Sequence, residues 1–131
     1  MTSSSKRNNI AAWLLEPQGT LSTSSTLVNV PEAGEILIEN HALAIQPLDA
    51  KIHNAGYGGS GSAGQYPKIL GTNLAGVVIA VGDGVETVQV GDHVVADTAA
   101  YTKGDPKMGA WQQYVIADSR TVAKVSKQRR Q

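Results

Sequence analysis

The chain has 131 residues, 41% hydrophobic and 17% charged, which is enough for one domain with a core and an ordinary globular mixture. Eleven basic side chains balance eleven acidic ones, which argues against a nucleic-acid surface or an acidic substrate. Cysteine is missing altogether, which excludes disulfides, thiolate chemistry and the commonest structural zinc sites. Fourteen glycines and no phenylalanine favour a turn-rich β protein with aliphatic packing. No apolar run approaches the roughly 18 residues of a membrane helix. The apolar patch at residues 10–15 is cut off by Glu16 and Pro17 too soon for a signal sequence. The expectation is a cytoplasmic protein with no membrane contact.

Residues 1–9 are rich in Ser and Asn and read as a disordered tail. A first strand is expected at residues 10–15, ended by Pro17, Gln18 and Gly19. The hydroxyl-rich residues 21–25 read as a loop before a second strand at 26–30, and residues 31–34 as a turn. Residues 35–45 alternate, with Ile36, Ile38 and Asn40 on one face and Leu37 on the other, the period of a strand. Pro47 suits the first turn of a helix, and a short one is expected from 47 to 54. Residues 56–64 carry five glycines but no G-x-G-x-x-G opening a helix after a strand, so they read as a plain loop.

Residues 66–97 organise the rest. They hold two apolar runs, 75–81 and 94–96, set off by Gly82-Asp83-Gly84 and Gly91-Asp92, where tight reversals favour a residue without a Cβ. Val77, Val78, Ile79 and Val81 are β-branched and favour a strand. The run is nearly continuous, so it reads as a strand buried on both faces or one at a barrel closure. Residues 98–110 are polar, with a turn at Lys103-Gly104-Asp105-Pro106. Residues 111–117 and 121–125 read as closing strands, and 126–131 as a basic polar tail.

The pattern P-x-x-x-G-T-N-x-A-G-x-V-x-x-V-G from Pro67 to Gly82, followed by V-G-D-H-V from Val90 to Val94, resembles the N-terminal, GroES-like domain of medium-chain dehydrogenases/reductases. Within that superfamily it is most similar to the zinc-independent branch of quinone oxidoreductases and fungal enoyl reductases. The likeness implies a mainly β fold, a GroES-like, partly open barrel with one or two short helices over residues 10–125. In the family a Rossmann domain that binds NADPH follows. A strand leading directly into a G-x-G-x-x-G turn and a helix, with an acidic residue downstream, is not read anywhere in these 131 residues. NADPH is expected for the full-length family, and no tight binding is expected to this chain alone.

The resemblance also points to residues. Zinc-dependent members place a Cys near the position of Gln46 and a His-Glu pair at the positions of Thr72 and Asn73. Neutral amides and a hydroxyl are poor zinc ligands, and His41, His53 and His93 are scattered, so no metal is expected. The run from Gln46 to Lys51 resembles the N-P-x-D-x-K segment of the fungal reductases, at the mouth of the cleft between the domains. That implies cofactor contacts from Gln46, Lys51 and Thr72, with Lys51 as an ammonium donor. Asn73 stands beside Thr72 as a turn or substrate residue. Tyr57, eight residues after Asp49, matches the offset of a tyrosine in the mitochondrial-type enoyl thioester reductases, proposed there as proton donor or oxyanion stabiliser. Tyr57 and Lys51 are thus the catalytic candidates. Each has a plainer reading: Asp49 as a helix-start residue, Lys51 as a solvated charge, Tyr57 as the anchor of a glycine loop. Trp13 and Trp111 read as core or rim aromatics.

The implied function is the substrate-side domain of an NADPH-dependent, zinc-independent oxidoreductase of the enoyl or quinone reductase type. Its substrate would be a small molecule or an acyl thioester. The alternative is a truncated, non-catalytic GroES-like binding domain or decayed enzyme, inactive alone because the cofactor domain is missing. A barrel without its second domain would expose an apolar face, which implies self-association, as a homodimer or as aggregation.

Overall fold

The β-branched run Val77, Val78, Ile79 lies in the middle of the larger of two sheets in the computed structural model, which describes residues 8–55 and 66–125. Within those residues the elements are β1 (Asn9–Leu14), β2 (Leu21–Thr26), β3 (Glu35–Leu43), α1 (Pro47–Ala55), β4 (Lys68–Ile69), β5 (Asn73–Val81), β6 (His93–Asp97), α2 (Ala100–Lys103), β7 (Tyr114–Asp118) and β8 (Val122–Lys124). Short 3-10 turns at Pro106–Met108 and Ser119–Thr121 complete them. No described helix is long and apolar enough to cross a membrane.

All pairings are antiparallel. The smaller sheet runs β2–β1–β4 and the larger β7–β3–β5–β6–β8. The main core fills the space behind the larger sheet: Ile36, Ile38, Leu74, Val78, Val94, Ala96, Val115 and Ala117 are all buried in one cluster. Leu37 points the other way and packs with Ala100, Met108 and Ile116, as the period of two in β3 requires. Asn40 sends Nδ2 to the carbonyls of Ala110 at 2.7 Å and Gln112 at 3.0 Å.

The two sheets are stitched by residues 111–113, just before β7. Ala12 donates its N–H to Trp111 O at 2.9 Å, Gln113 to Ile10 O at 3.1 Å, and Asn40 to Gln113 O at 2.8 Å. One chain segment thereby ladders onto β1 on one side and β3 on the other. This closes one seam of the barrel and leaves the edge strands β2 and β8 open.

Several expectations need correction. The run in β5 is not buried equally on both faces. Leu74, Gly76 and Val78 are fully buried, while Ala75, Val77 and Ile79 are only half-buried, because only one face looks into the main core. The second strand is Leu21–Thr26, the segment read as a loop, whereas Leu27 and Val30 stand 76% and 73% exposed in irregular chain. β2 pairs only with β1 and is exposed along its length, so it has no need of an apolar pattern and the threonines suffice. Asn9, assigned to a disordered tail, opens β1 and is fully buried. The polar stretch 98–110 contains α2, which ends at Gly104 in the left-handed region with its N–H returned to Ala100 O. At Gly82 the reason for glycine is close approach: a Cβ there would stand 1.9 Å from Glu32 O.

Candidate functional site

The start of α1 and the start of β5 meet at one end of the barrel. Pro47 opens α1 at a position where no N–H is needed. Asp49, in the first turn, accepts the Gln46 N–H through Oδ2 at 2.9 Å, a cap that also puts negative charge at the positive helix end. Asp49 is only 2% exposed, and a buried carboxylate must have partners. Its second partner comes from α2: the Tyr101 hydroxyl donates to Asp49 Oδ1 at 2.6 Å. The Tyr101 hydroxyl oxygen in turn accepts the Gly71 N–H at 2.6 Å. Burial raises the Tyr101 pKa well above the usual 10.0. The bond to Asp49 adds to the rise and the Gly71 N–H opposes it. The phenol therefore stays protonated and keeps donating.

Gly71 itself is held in a conformation other residues rarely take, with φ +94. A Cβ there would lie 2.4 Å from Trp111 Cδ1. The turn from β4 into β5 is thus pressed against the Trp111 ring, and it delivers Thr72 and Asn73 to fixed places.

Those two residues and Gln46 form a neutral triad. Gln46 Nε2 donates to Asn73 Oδ1, and Thr72 Oγ1 donates to the same oxygen at 2.9 Å. The backbone is pinned beside them: Thr98 N–H bonds Thr72 O at 2.7 Å, and Ala44 N–H bonds Asn73 O at 3.0 Å. Gln46 Oε1 and Asn73 Nδ2 have no hydrogen-bond partner among the described residues. Next to them the Thr98 hydroxyl is buried and also unpartnered within those residues. Asn73 lines a cleft of about 610 Å³ whose walls include Leu43, Val95 and Val122 together with the charged Asp97 and Arg120. Leu43 and Val95 are 42% and 44% exposed there.

Of the sequence candidates, Gln46 and Thr72 are brought together, through Asn73. Lys51 is not part of this group. It lies two residues beyond Asp49, about 200° round the helix, exposed and without an ion pair or hydrogen bond among the described residues. Tyr57 lies outside the described residues. His41 bonds Glu39 and His53 bonds Gly19 O. No group of three His, Cys, Asp or Glu side chains among the described residues could hold a metal. Trp111 packs partly buried between two core clusters, with its Nε1 buried and unpartnered among the described residues. Sequence reasoning missed Tyr101 and Thr98. Nothing in the sequence links Tyr101 to a carboxylate 52 residues earlier.

Comparison with known proteins accords with this geometry. Residues 32–127 match the alcohol dehydrogenase GroES-like domain. The zinc-binding alcohol dehydrogenase domain-containing protein cipB of Emericella nidulans is 36% identical over 110 residues, 83% of this chain and 34% of that protein. The trans-enoyl reductase tndF of Aspergillus flavipes is 36% identical over 118 residues, 88% of this chain and 33% of that protein. The quinone oxidoreductase of Escherichia coli, solved in complex with NADPH, superimposes with a TM-score of 0.73 at 26% identity, covering 92% of this chain and 33% of that one. The chain spans about a third of the length of the relatives it matches. It belongs to the alcohol dehydrogenase GroES-like domain family of the medium-chain dehydrogenase/reductase superfamily.

Proposed function

We propose that this domain is the N-terminal, substrate-side part of an NADPH-dependent, zinc-independent oxidoreductase of the enoyl or quinone reductase type. The observation that carries the reading is the convergence of Gln46, Thr72 and Asn73. By the resemblance, they stand where the zinc-dependent members place a Cys and a His-Glu pair. Two amides and a hydroxyl do not fit a zinc ion, and no step here passes through one.

The same donor set does fit a carboxamide or a carbonyl. Gln46 Oε1 is left to accept and Asn73 Nδ2 to donate, the pairing that an amide ligand such as nicotinamide requires. When bound, the cofactor supplies a hydride to an activated C=C or carbonyl group. What this chain contributes is placement and electrostatics: the Asn73 amide can hold the cofactor ring or stabilise charge developing on a carbonyl oxygen. The resemblance alone gives Lys51 the role of ammonium donor and Tyr57 that of proton donor or oxyanion stabiliser, and neither role rests on the triad. Two relatives support the oxidoreductase type by name, a trans-enoyl reductase and a quinone oxidoreductase solved with NADPH.

The test is a titration of the isotopically labelled chain with NADPH to millimolar concentration, followed by two-dimensional NMR. Weak shifts confined to the amides of Gln46, Thr72 and Asn73, and abolished by Asn73→Leu, are expected. Unmoved resonances at millimolar cofactor would instead favour the non-catalytic binding domain.

A further inference from the structure

We infer that Asp49 and Tyr101 are positioning residues that hold the two halves of the triad in register, an inference resting on the reading of Gln46, Thr72 and Asn73 as the ligand-facing group. The two halves come from different parts of the chain. Gln46 precedes α1, and Asn73 opens β5, 27 residues later. The β3–β5 ladder, continued by the Ala44 N–H bond to Asn73 O at 3.0 Å, ends two residues short of Gln46.

What ties Gln46 itself to the turn before β5 is a closed ring of hydrogen bonds. The Gln46 N–H reaches Asp49 Oδ2 at 2.9 Å. Asp49 Oδ1 receives the Tyr101 hydroxyl at 2.6 Å. The Tyr101 oxygen receives the Gly71 N–H at 2.6 Å. Gly71 is bonded covalently to Thr72, and Thr72 and Gln46 both meet at Asn73 Oδ1. The carboxylate thus reads the position of one half and the phenol the position of the other, and their mutual bond fixes the difference. The two bonds at the Tyr101 hydroxyl are 2.6 Å long and Asp49 beside it is buried, so an opened ring leaves buried groups unpaired. The aromatic ring of Tyr101 also packs on Leu14, Ile52 and Leu70. Tyr101→Phe keeps that packing and deletes only the hydroxyl, which separates positioning from core filling.

The experiment compares side-chain and backbone amide spectra of the whole chain and its variants. In Tyr101→Phe the Gly71 amide proton should move upfield. Hydrogen-exchange protection of the Gly71 and Gln46 amides should fall about tenfold, as the loss of one hydrogen bond predicts. The side-chain amide resonances of Gln46 and Asn73 should shift with them. A variant that merely loosens the same apolar cluster, Leu14→Val, should lower the melting temperature and leave those side-chain amides in place. Asp49→Asn provides a second reading should the phenylalanine variant not fold: its amide nitrogen opposes the Gln46 N–H, so the Gln46 end should loosen while the Gly71 end holds. Unmoved Gln46 and Asn73 side-chain amides in these variants overturn the inference. The NADPH titration of the unaltered chain is read separately. Shifts in the variants without any response to cofactor leave the positioning intact and remove the cofactor reading.

Discussion

Asn9 Nδ2 donates to Gln112 Oε1 at 2.9 Å, joining residues 103 positions apart. The same amide gives a second bond to Leu27 O at 2.8 Å, and its oxygen accepts the N–H groups of Gln113 and Tyr114 at 3.1 and 3.2 Å. Gln112 passes the network on to the carbonyls of Pro106 and Gly109, both at 2.8 Å. A fully buried amide is thus the lock where β1 meets the segment that closes the barrel. Asn9→Ala strands several buried partners at once and should cost about 2–4 kcal/mol. Urea denaturation checks it, and a loss below half a kilocalorie would mean that the network is dispensable.

Gly71 offers a sharper steric test. An alanine there meets both an unfavourable backbone angle, φ +94, and the Trp111 ring at 2.4 Å. The two effects together should destabilise by about 3 kcal/mol. Gly84, with a similar φ of +82 but nothing within 4 Å of its would-be Cβ, should tolerate alanine with only about 1 kcal/mol lost. The difference in thermal midpoint between the two variants isolates the contact with Trp111.

Tyr101 predicts a base limb in stability. Its folded-state pKa lies above the unfolded value, chiefly through burial. The stabilisation is therefore fully present below about pH 10, where both states are protonated, and is lost as the pH rises above that and only the unfolded state ionises. The unaltered protein should lose stability above pH 10 more steeply than Tyr101→Phe. Denaturant midpoints between pH 8 and 11 make the comparison, and parallel curves would count against a locked phenol.

Asp118 predicts the opposite limb. Its carboxylate accepts from Arg120 Nε at 3.1 Å, from Arg120 Nη2 at 2.8 Å and from the Arg120 backbone N–H at 2.9 Å. The side-chain bonds to Arg120 come first among the causes that lower its pKa from 3.8 to about 2. The unfolded state takes up the proton first on acidification, so the contribution present above about pH 4 fades as the pH falls toward 2. Asp118→Asn should flatten that part of the acid profile. The pair is exposed on the arginine side, so added salt should shrink the difference.

Much of this architecture was legible in the residues. Alternation in 35–45 placed Ile36 and Ile38 opposite Leu37, and the structure puts them in separate clusters. The P-x-x-x-G-T-N pattern located the turn that delivers Thr72 and Asn73. β2 was not legible, because an edge strand exposed along its length has no apolar period to read. Nor were the partners of Asn9 and Asp49. A buried polar residue carries the same letter as an exposed one, and whether it is tolerated depends on acceptors and donors that folding brings from far along the chain.

By itself, then, the amino-acid order determined the local choices: which runs could pleat, where Pro47 could start a helix, and that amides and a hydroxyl stand at the positions of Gln46, Thr72 and Asn73. Tertiary structure alone decided that these three meet, that Tyr101 and Asp49 brace them, and that Asn9 seals the barrel. The reason is physical: periodicity is a property of neighbours within a few residues, whereas hydrogen-bond satisfaction of a buried group belongs to the whole fold.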